Sequence, residues 1–211
     1  MIEFWSNLGP AVINTLLISA ASFALGAALA VPLLMGRIAP FLVISWSAQA
    51  VIDVLRGIPP IVCLFLVFFG ITVGGSTLSP VLAAIVGLGL ISAGYLAEIF
   101  RGALAAVPSG QFEASAALGL HRATLTRRVI APQVVRIALP TTASYSIGLL
   151  KDSAIASTIG AADVLFHATA TARATGDGVL PFVAALAIYL ALSFPLAFAS
   201  RRWERHLQVH A

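Results

Sequence analysis

The chain has 211 residues, 60% of them hydrophobic and 9% charged; twelve Lys and Arg stand against eight Asp and Glu, a formal charge of +4, and the mean hydropathy is +1.01. Soluble domains carry roughly 25% charged residues, so this composition excludes a water-facing globule and points to a membrane. The basic balance then suits anionic lipid headgroups or an acidic partner face rather than nucleic acid, and the single cysteine, Cys63, excludes an internal disulfide or a thiolate metal cluster.

A membrane-crossing helix takes about 20 apolar residues, and five such stretches follow one another. Val12–Leu34 is free of charge; it is too long for a signal peptide and lacks a basic start, so it is expected to remain as a span. Phe41–Phe69 is interrupted by Asp53, Arg56, Pro59 and Pro60, and the prolines predict a kink. Leu78–Phe100 is clean up to Glu98. A polar, basic segment, 102–135, comes next. Pro108, Ser109 and Gly110 can start a helix that runs through "QFEASAAL" and stops at Gly119. A second short helix is expected from Arg122 to about Ile130, ended by Pro132. Leu118, Leu120, Leu125 and Val129 are apolar knobs on this pair, which is too small to bury them; it needs lipid or another protein. Ile137–Ile159 carries Lys151 and Asp152, and Val179–Ala199 is again clean. The connectors, "GGSTLSP" and "TGDG" among them, are short, and no linker, soluble domain or internal repeat is visible, so 1–211 reads as one all-α membrane unit.

Lys and Arg in short loops set orientation. Arg37, then Arg101, Arg122, Arg127, Arg128 and Arg136, then Arg201, Arg202 and Arg205 fall in alternate loops on one side; the other side has Arg173 with Asp163 and Asp177, and Glu3 at the terminus. The N-terminus is therefore expected outside, the C-terminus and the 102–135 segment in the cytoplasm.

A charge at the centre of a spanning helix costs about 2.5–3.5 kcal/mol on insertion scales, so such residues face water or one another. Asp53, Arg56, Lys151 and Asp152 are the candidates. Counted from the cytoplasmic ends of their spans, Asp53 and Lys151 fall at similar depth, roughly 18 and 21 Å in. Two readings stand: these groups line a path for a zwitterionic solute, whose carboxylate wants a cation and whose ammonium wants a carboxylate, or they are ion pairs holding kinked helices together. Tyr145 and Ser146, about a turn before Lys151, can line the same path or bond between helices. Glu98 and Arg101 sit one turn apart and read as a local pair. The only lysine follows Leu150, whereas a phosphate-binding loop needs Gly-Lys-Ser/Thr. No catalytic cluster or metal-ligand spacing is present either. Any ATP must be handled by a partner.

The stretch "GQFEASAALGLHRATLTRRVIAPQVVRIALP" resembles the cytoplasmic EAA loop of ABC-importer membrane subunits, with Glu113, Ala114, Ser115, Gly119, Ile130 and Pro132 at its marked positions. "YLAEIFRGALAAVPSGQ", "VLRGIPPIVCLF" and "LLKDSAIASTI" are similar to the polar-amino-acid branch of that family. Ser115 stands for the middle alanine, His121 for a usual serine, which removes the expected hydroxyl cap of the second helix, "KDSAI" for Lys-Asp-Thr-Ser-Leu, and Ser144 for an asparagine. The resemblance implies a type I importer permease fold: five spans with a cytoplasmic coupling helix pair, in a bacterial inner membrane. It implies that Glu113, Ala114, Ser115, Leu118, Gly119 and Leu120 form the contact to an ATP-binding cassette subunit. It further implies pairing with an identical or related permease, an extracytoplasmic solute-binding protein as donor, and ATP and Mg used only by the partner subunit, with no cofactor on this chain. Alternating access would follow, with closure of the ATPase pair moving the spans. The rivals are a self-sufficient secondary transporter, against which five spans without a repeat argue, and a membrane enzyme or anchor. Glutamine, histidine, arginine, glutamate, cystine or a compatible solute all remain open as substrate.

Overall fold

In the computed structural model the described residues are 8–73 and 76–208. Residues 1–7 (with Glu3), 74–75 and 209–211 lie outside them, as do the side chains of 72, 73, 76 and 203–208, among them Arg205. The helices run α1 Leu8–Arg37, α2 Leu42–Gly57, α3 Pro60–Gly70, α4 Pro80–Ala105, α5 Ser109–Ala117, α6 Arg122–Thr124, α7 Ala131–Asp152, α8 Val164–Thr175 and α9 Leu180–Gln208. Among the described residues the one extended element is a two-residue antiparallel pairing, β1 Thr72–Val73 with β2 Ser76–Thr77.

The pair α1 and α4 forms the spine. On α1 the buried residues Ser22, Gly26 and Ala30 recur every four positions and make a flat, small stripe. Helix α4 lies along it in parallel: a methyl on Gly89 would strike the Leu25 side chain, and one on Gly26 would strike Ser92 and the Ala93 backbone. Parallel packing puts the C-terminal ends of both helices, Arg37 and Arg101, at the same membrane boundary. Helix α4 starts cleanly because Ser79 caps it, accepting from the Leu82 N–H at 3.3 Å, with Pro80 in the first turn where no donor is needed. Its buried small residues continue through Ala84, Gly87, Ala93 and Ala97, and the largest buried cluster gathers Ile18, Leu64, Leu88, Ile91 and Leu149 around them.

The stretch expected as one span, Phe41–Phe69, is a bent pair: α2 and α3 meet at 101°. Two successive prolines cause it. The residues before them, Ile58 (ψ 128°) and Pro59 (ψ 134°), are forced extended, and the turn is closed by Val62 and Cys63 N–H groups donating to the Pro59 carbonyl at 2.9 and 3.1 Å. By length and apolarity three helices qualify to cross a membrane, α1, α4 and the Leu180–Arg202 part of α9, and a fourth if the bent pair counts as one span. The fourth expected span, Ile137–Ile159, is helical, α7 followed by a 3₁₀ turn at Ser153–Ile159, but Arg136, Lys151, Asp152 and its run of Thr and Ser keep it from qualifying on apolarity alone.

Pro132 does not end the second helix of the basic segment, contrary to expectation. Arg122–Thr124 passes through a π-helical stretch, Leu125–Ile130, straight into α7. The Ala131 N–H reaches back five residues to the Thr126 carbonyl. That widened turn makes room for the proline and its missing donor, so the helix continues. His121 also departs from expectation: its Nδ1 accepts from the Ala123 N–H at 3.3 Å and replaces the missing hydroxyl cap.

At the opposite end of the bundle, outside the spans, Asp163 is fully buried. It caps α8 by accepting from the Phe166 N–H at 2.7 Å, and the Tyr189 hydroxyl of α9 donates to its other oxygen at 3.3 Å. Thr15 of α1 accepts from the Val164 N–H, and Asn14 donates to the Ala162 carbonyl. Three of these contacts, all but the cap, tie α1, α8 and α9 together.

Candidate functional site

The coupling segment is built by local rules. Helix α5 ends in a complete left-handed cap: Gly119 has φ +65°, the Leu120 N–H reaches the Ser115 carbonyl and the Gly119 N–H reaches that of Ala116. Of the six residues expected to face a partner, Glu113, Ala114, Leu118, Gly119 and Leu120 are exposed, Leu118 to 77%. Ser115 is not: it is buried, and its hydroxyl donates to the Gln111 carbonyl at 2.7 Å. On a nine-residue helix one face must rest on the chain itself, and Ser115 lies on it. Gln133 of α7 clasps that face from the side, donating to Gln111 Oε1 at 3.2 Å. The knob is therefore anchored on one side and open on the other.

The second feature is a polar cleft of about 220 Å³ where α1, α2 and α4 converge. Arg37 enters from α1, Gln49, Asp53 and Arg56 from α2, and Glu98 and Arg101 from α4. Glu98 and Arg101 form the expected local pair, with bonds of 2.6–3.0 Å. Among the described residues no carboxylate pairs with Arg56, and Asp53, one turn away, has no cation partner. Arg56 instead lies over the Tyr95 ring, 5.6 Å from its centroid. Tyr95 stacks on Tyr145 at 5.4 Å and 23°, and the Tyr145 hydroxyl donates to Ser92 at 2.9 Å. A cation, a carboxylate and two stacked rings thus run from α2 through α4 to α7. Such a row offers a carboxylate-binding cation and an ammonium-binding anion one helical turn apart, with an aromatic wall for a side chain.

Not every expected residue joins this row. Ser146 points away from Tyr145 and lines an apolar groove of about 530 Å³ between α1, α7 and α9. Lys151 and Asp152 are exposed and do not line the polar cleft. Nor do they share its depth. Asp53 stands beside Glu98, while Lys151 follows Tyr145, the neighbour of Ser92 and Tyr95, by six residues of α7, about 9 Å farther along. The count took α2 to run straight across the membrane; Asp53 instead shares a cleft with Arg37 and Arg101 at the ends of α1 and α4, so α2 runs obliquely and residues along it gain less depth. The residue missed from sequence is Tyr95. It lies one turn before Glu98 and opens the stretch "YLAEIFRGALAAVPSGQ", where it counted as part of a motif and not as a site residue.

Spans that hold unpaired charges beside an aromatic wall, with an exposed helical knob at one boundary, suit a membrane permease subunit, a protein that moves solutes and leaves chemistry to others. The chain belongs to the family of binding-protein-dependent transport system inner membrane components, whose model matches residues 28–209. It is 36% identical over 178 residues to the probable amino-acid ABC transporter permease protein YckA of Bacillus subtilis (strain 168), covering 84% of this chain and 79% of that one. It is 33% identical over 195 residues to the arginine transport system permease protein ArtQ of the same organism, covering 92% and 89%. Among solved structures, an amino acid ABC transporter crystallised with histidines superposes with a TM-score of 0.89 at 29% identity, covering 98% of this chain and 96% of that one. The inward-facing methionine transporter MetNI, at 22% identity, shares the fold with a TM-score of 0.82, covering 98% and 99%. The chain is thus a multi-pass permease component of an ABC importer.

Proposed function

We propose that this chain forms half of a translocation path for a polar amino acid or a similar small zwitterion, driven by ATP hydrolysed on a separate cassette subunit. The observation that carries the reading is the coupling knob: a short helix, braced by Gln133 on one side, leaves Glu113, Ala114 and Leu118 free on the other. An exposed leucine beside an acidic side chain on a rigid support suits a groove on another protein. The amino-acid assignments carried by the names of YckA and ArtQ support the substrate class. Within the path, Asp53 and Arg56 are the ligands of choice for the ammonium and carboxylate, with Tyr95 and Tyr145 behind them; Lys151 and Asp152 lie farther along and serve entry or assembly. ATP and Mg belong to the partner, and this chain holds no cofactor of its own.

The working unit has two permease chains, identical or related, two cassette subunits at the face of the knob, and a solute-binding protein at the other face. The alternate-loop arginines support a cytoplasmic knob and C-terminus, with the N-terminus outside, in a bacterial inner membrane. Closure of the cassette pair would draw two knobs together and swing the helices they are fused to, α4 and α7. Copurification from detergent tests the coupling role. Wild-type chain should retain the cassette subunit, and Glu113→Lys should release it; unchanged association and uptake with Glu113→Lys would show that the knob is not the contact. Arg56→Gln should abolish uptake with the cassette subunit still bound.

A further inference from the structure

Arg37 and Arg101 line two clefts at once. One is the polar cleft described above; the other, also about 220 Å³, is completed by Ile38, Leu104 and Ala105. The two guanidiniums therefore stand at the rim of a mostly apolar notch, at the parallel ends of α1 and α4. We propose that this notch binds one anionic phospholipid, its phosphate between Arg37 and Arg101 and the start of an acyl chain against Ile38 and Leu104. The proposal rests on α1 and α4 being membrane spans, and not on the transport reading.

Charge and donor geometry both favour a phosphate. Arg101 spends its Nε and one terminal nitrogen on Glu98, which neutralises that carboxylate. Among the described residues its other terminal nitrogen has no hydrogen-bond partner. Arg37 donates once, to Ser45 at 2.9 Å, and among the described residues no carboxylate pairs with it. Ser45 in turn donates to the Arg37 carbonyl at 2.8 Å, so the turn between α1 and α2 holds the Arg37 side chain in place. Two guanidiniums held by Ser45 and Glu98 line one notch, and a guanidinium fork suits phosphate oxygens. Asp53 lines only the polar cleft, so the notch itself contains no carboxylate. The apolar half selects a lipid over a free anion: Ile38 is 53% exposed at the end of a span, where headgroup gives way to hydrocarbon.

The test is native mass spectrometry of the full chain purified in detergent, with equal amounts of phosphatidylglycerol and phosphatidylcholine added. One phosphatidylglycerol should stay bound per chain while phosphatidylcholine does not. Arg37→Gln with Arg101→Gln should weaken retention about thirtyfold, at about 1 kcal/mol per basic residue. Arg201→Gln with Arg202→Gln removes the same charge from the end of α9 and should leave retention unchanged. Circular dichroism of each variant confirms a folded helix bundle. Equal retention of both lipids, equal loss in both double variants, or no loss in the first would overturn the proposal. Displacement of phosphatidylglycerol by millimolar inorganic phosphate would overturn it too, since the site would then take free anions.

Discussion

A single methyl group placed on Gly26 tests the spine of the fold. An added Cβ would stand 2.3 Å from Ser92 Cβ, 3.0 Å from the Ser92 carbonyl carbon and 3.1 Å from the Ala93 nitrogen. Carbon atoms rest about 3.5–4.0 Å apart, so α1 and α4 must separate by on the order of 1 Å over that turn. Two of the three atoms are backbone, and no rotamer change relieves them. Overpacking of this kind costs about 1–3 kcal/mol, against a gain of about 1 kcal/mol for replacing glycine by alanine in a helix. A clash with backbone falls in the upper half of that range, about 2–3 kcal/mol, so the net loss for Gly26→Ala is about 1–2 kcal/mol, or ~2–8 °C in melting temperature by the scaling for chains of this size. Thermal unfolding in detergent, followed by circular dichroism, reads it. Gly148→Ala is the control, since an added Cβ there meets nothing within 4 Å; its melting temperature should hold or rise slightly. Ser92→Gly removes the closest clash, so the double variant should lose less than the two single variants together. A Gly26→Ala protein as stable as wild type, or strict additivity with Ser92→Gly, would refute the tight small-residue seam.

Three further outcomes follow from the same structure. Burial is the main reason the Asp163 carboxyl is pushed up to about 6, against the hydrogen bonds from Phe166 and Tyr189, from an ordinary value of 3.8. The folded chain holds that proton longer than the unfolded chain, so this group makes stability fall as pH rises from about 4 through 6, by about 3 kcal/mol in all; Asp163→Asn should flatten that part of a melting-temperature profile, and an unchanged slope would show that Asp163 is not its source. Gly119→Ala puts a Cβ on a residue at φ +65° and should cost about 1 kcal/mol locally; cassette-subunit affinity should fall severalfold while the melting temperature of the bundle barely moves. Tyr145→Phe removes the bond to Ser92 but keeps the ring stacked on Tyr95; it should lower stability by about 1 kcal/mol and leave measurable uptake, whereas Tyr95→Ala should reduce uptake far more.

What the chain spells out by itself is whatever depends on neighbours in sequence. Sixty per cent hydrophobic residues and long uncharged runs define a membrane protein. Prolines 59 and 60 require a break, though not its 101° angle, because a proline fixes its own backbone while packing sets the direction that follows. Gly119 ends α5 as its position foretold, since a left-handed cap is a local event. Pro132 shows the limit: a proline stops an isolated helix, yet a π turn fixed by the surrounding fold carries the chain past it. Only the tertiary structure decided which charges meet. Arg56 with Tyr95 and Tyr95 with Tyr145 are contacts between residues far apart in the chain, and Arg37 and Arg101 line the same clefts; nothing in their local sequence encodes a partner. Lys151 and Ser146, which sequence spacing set beside the path, fall outside the polar cleft because the packing of α7 against α4 and α1, and not the count of residues along a helix, decides which side chains meet.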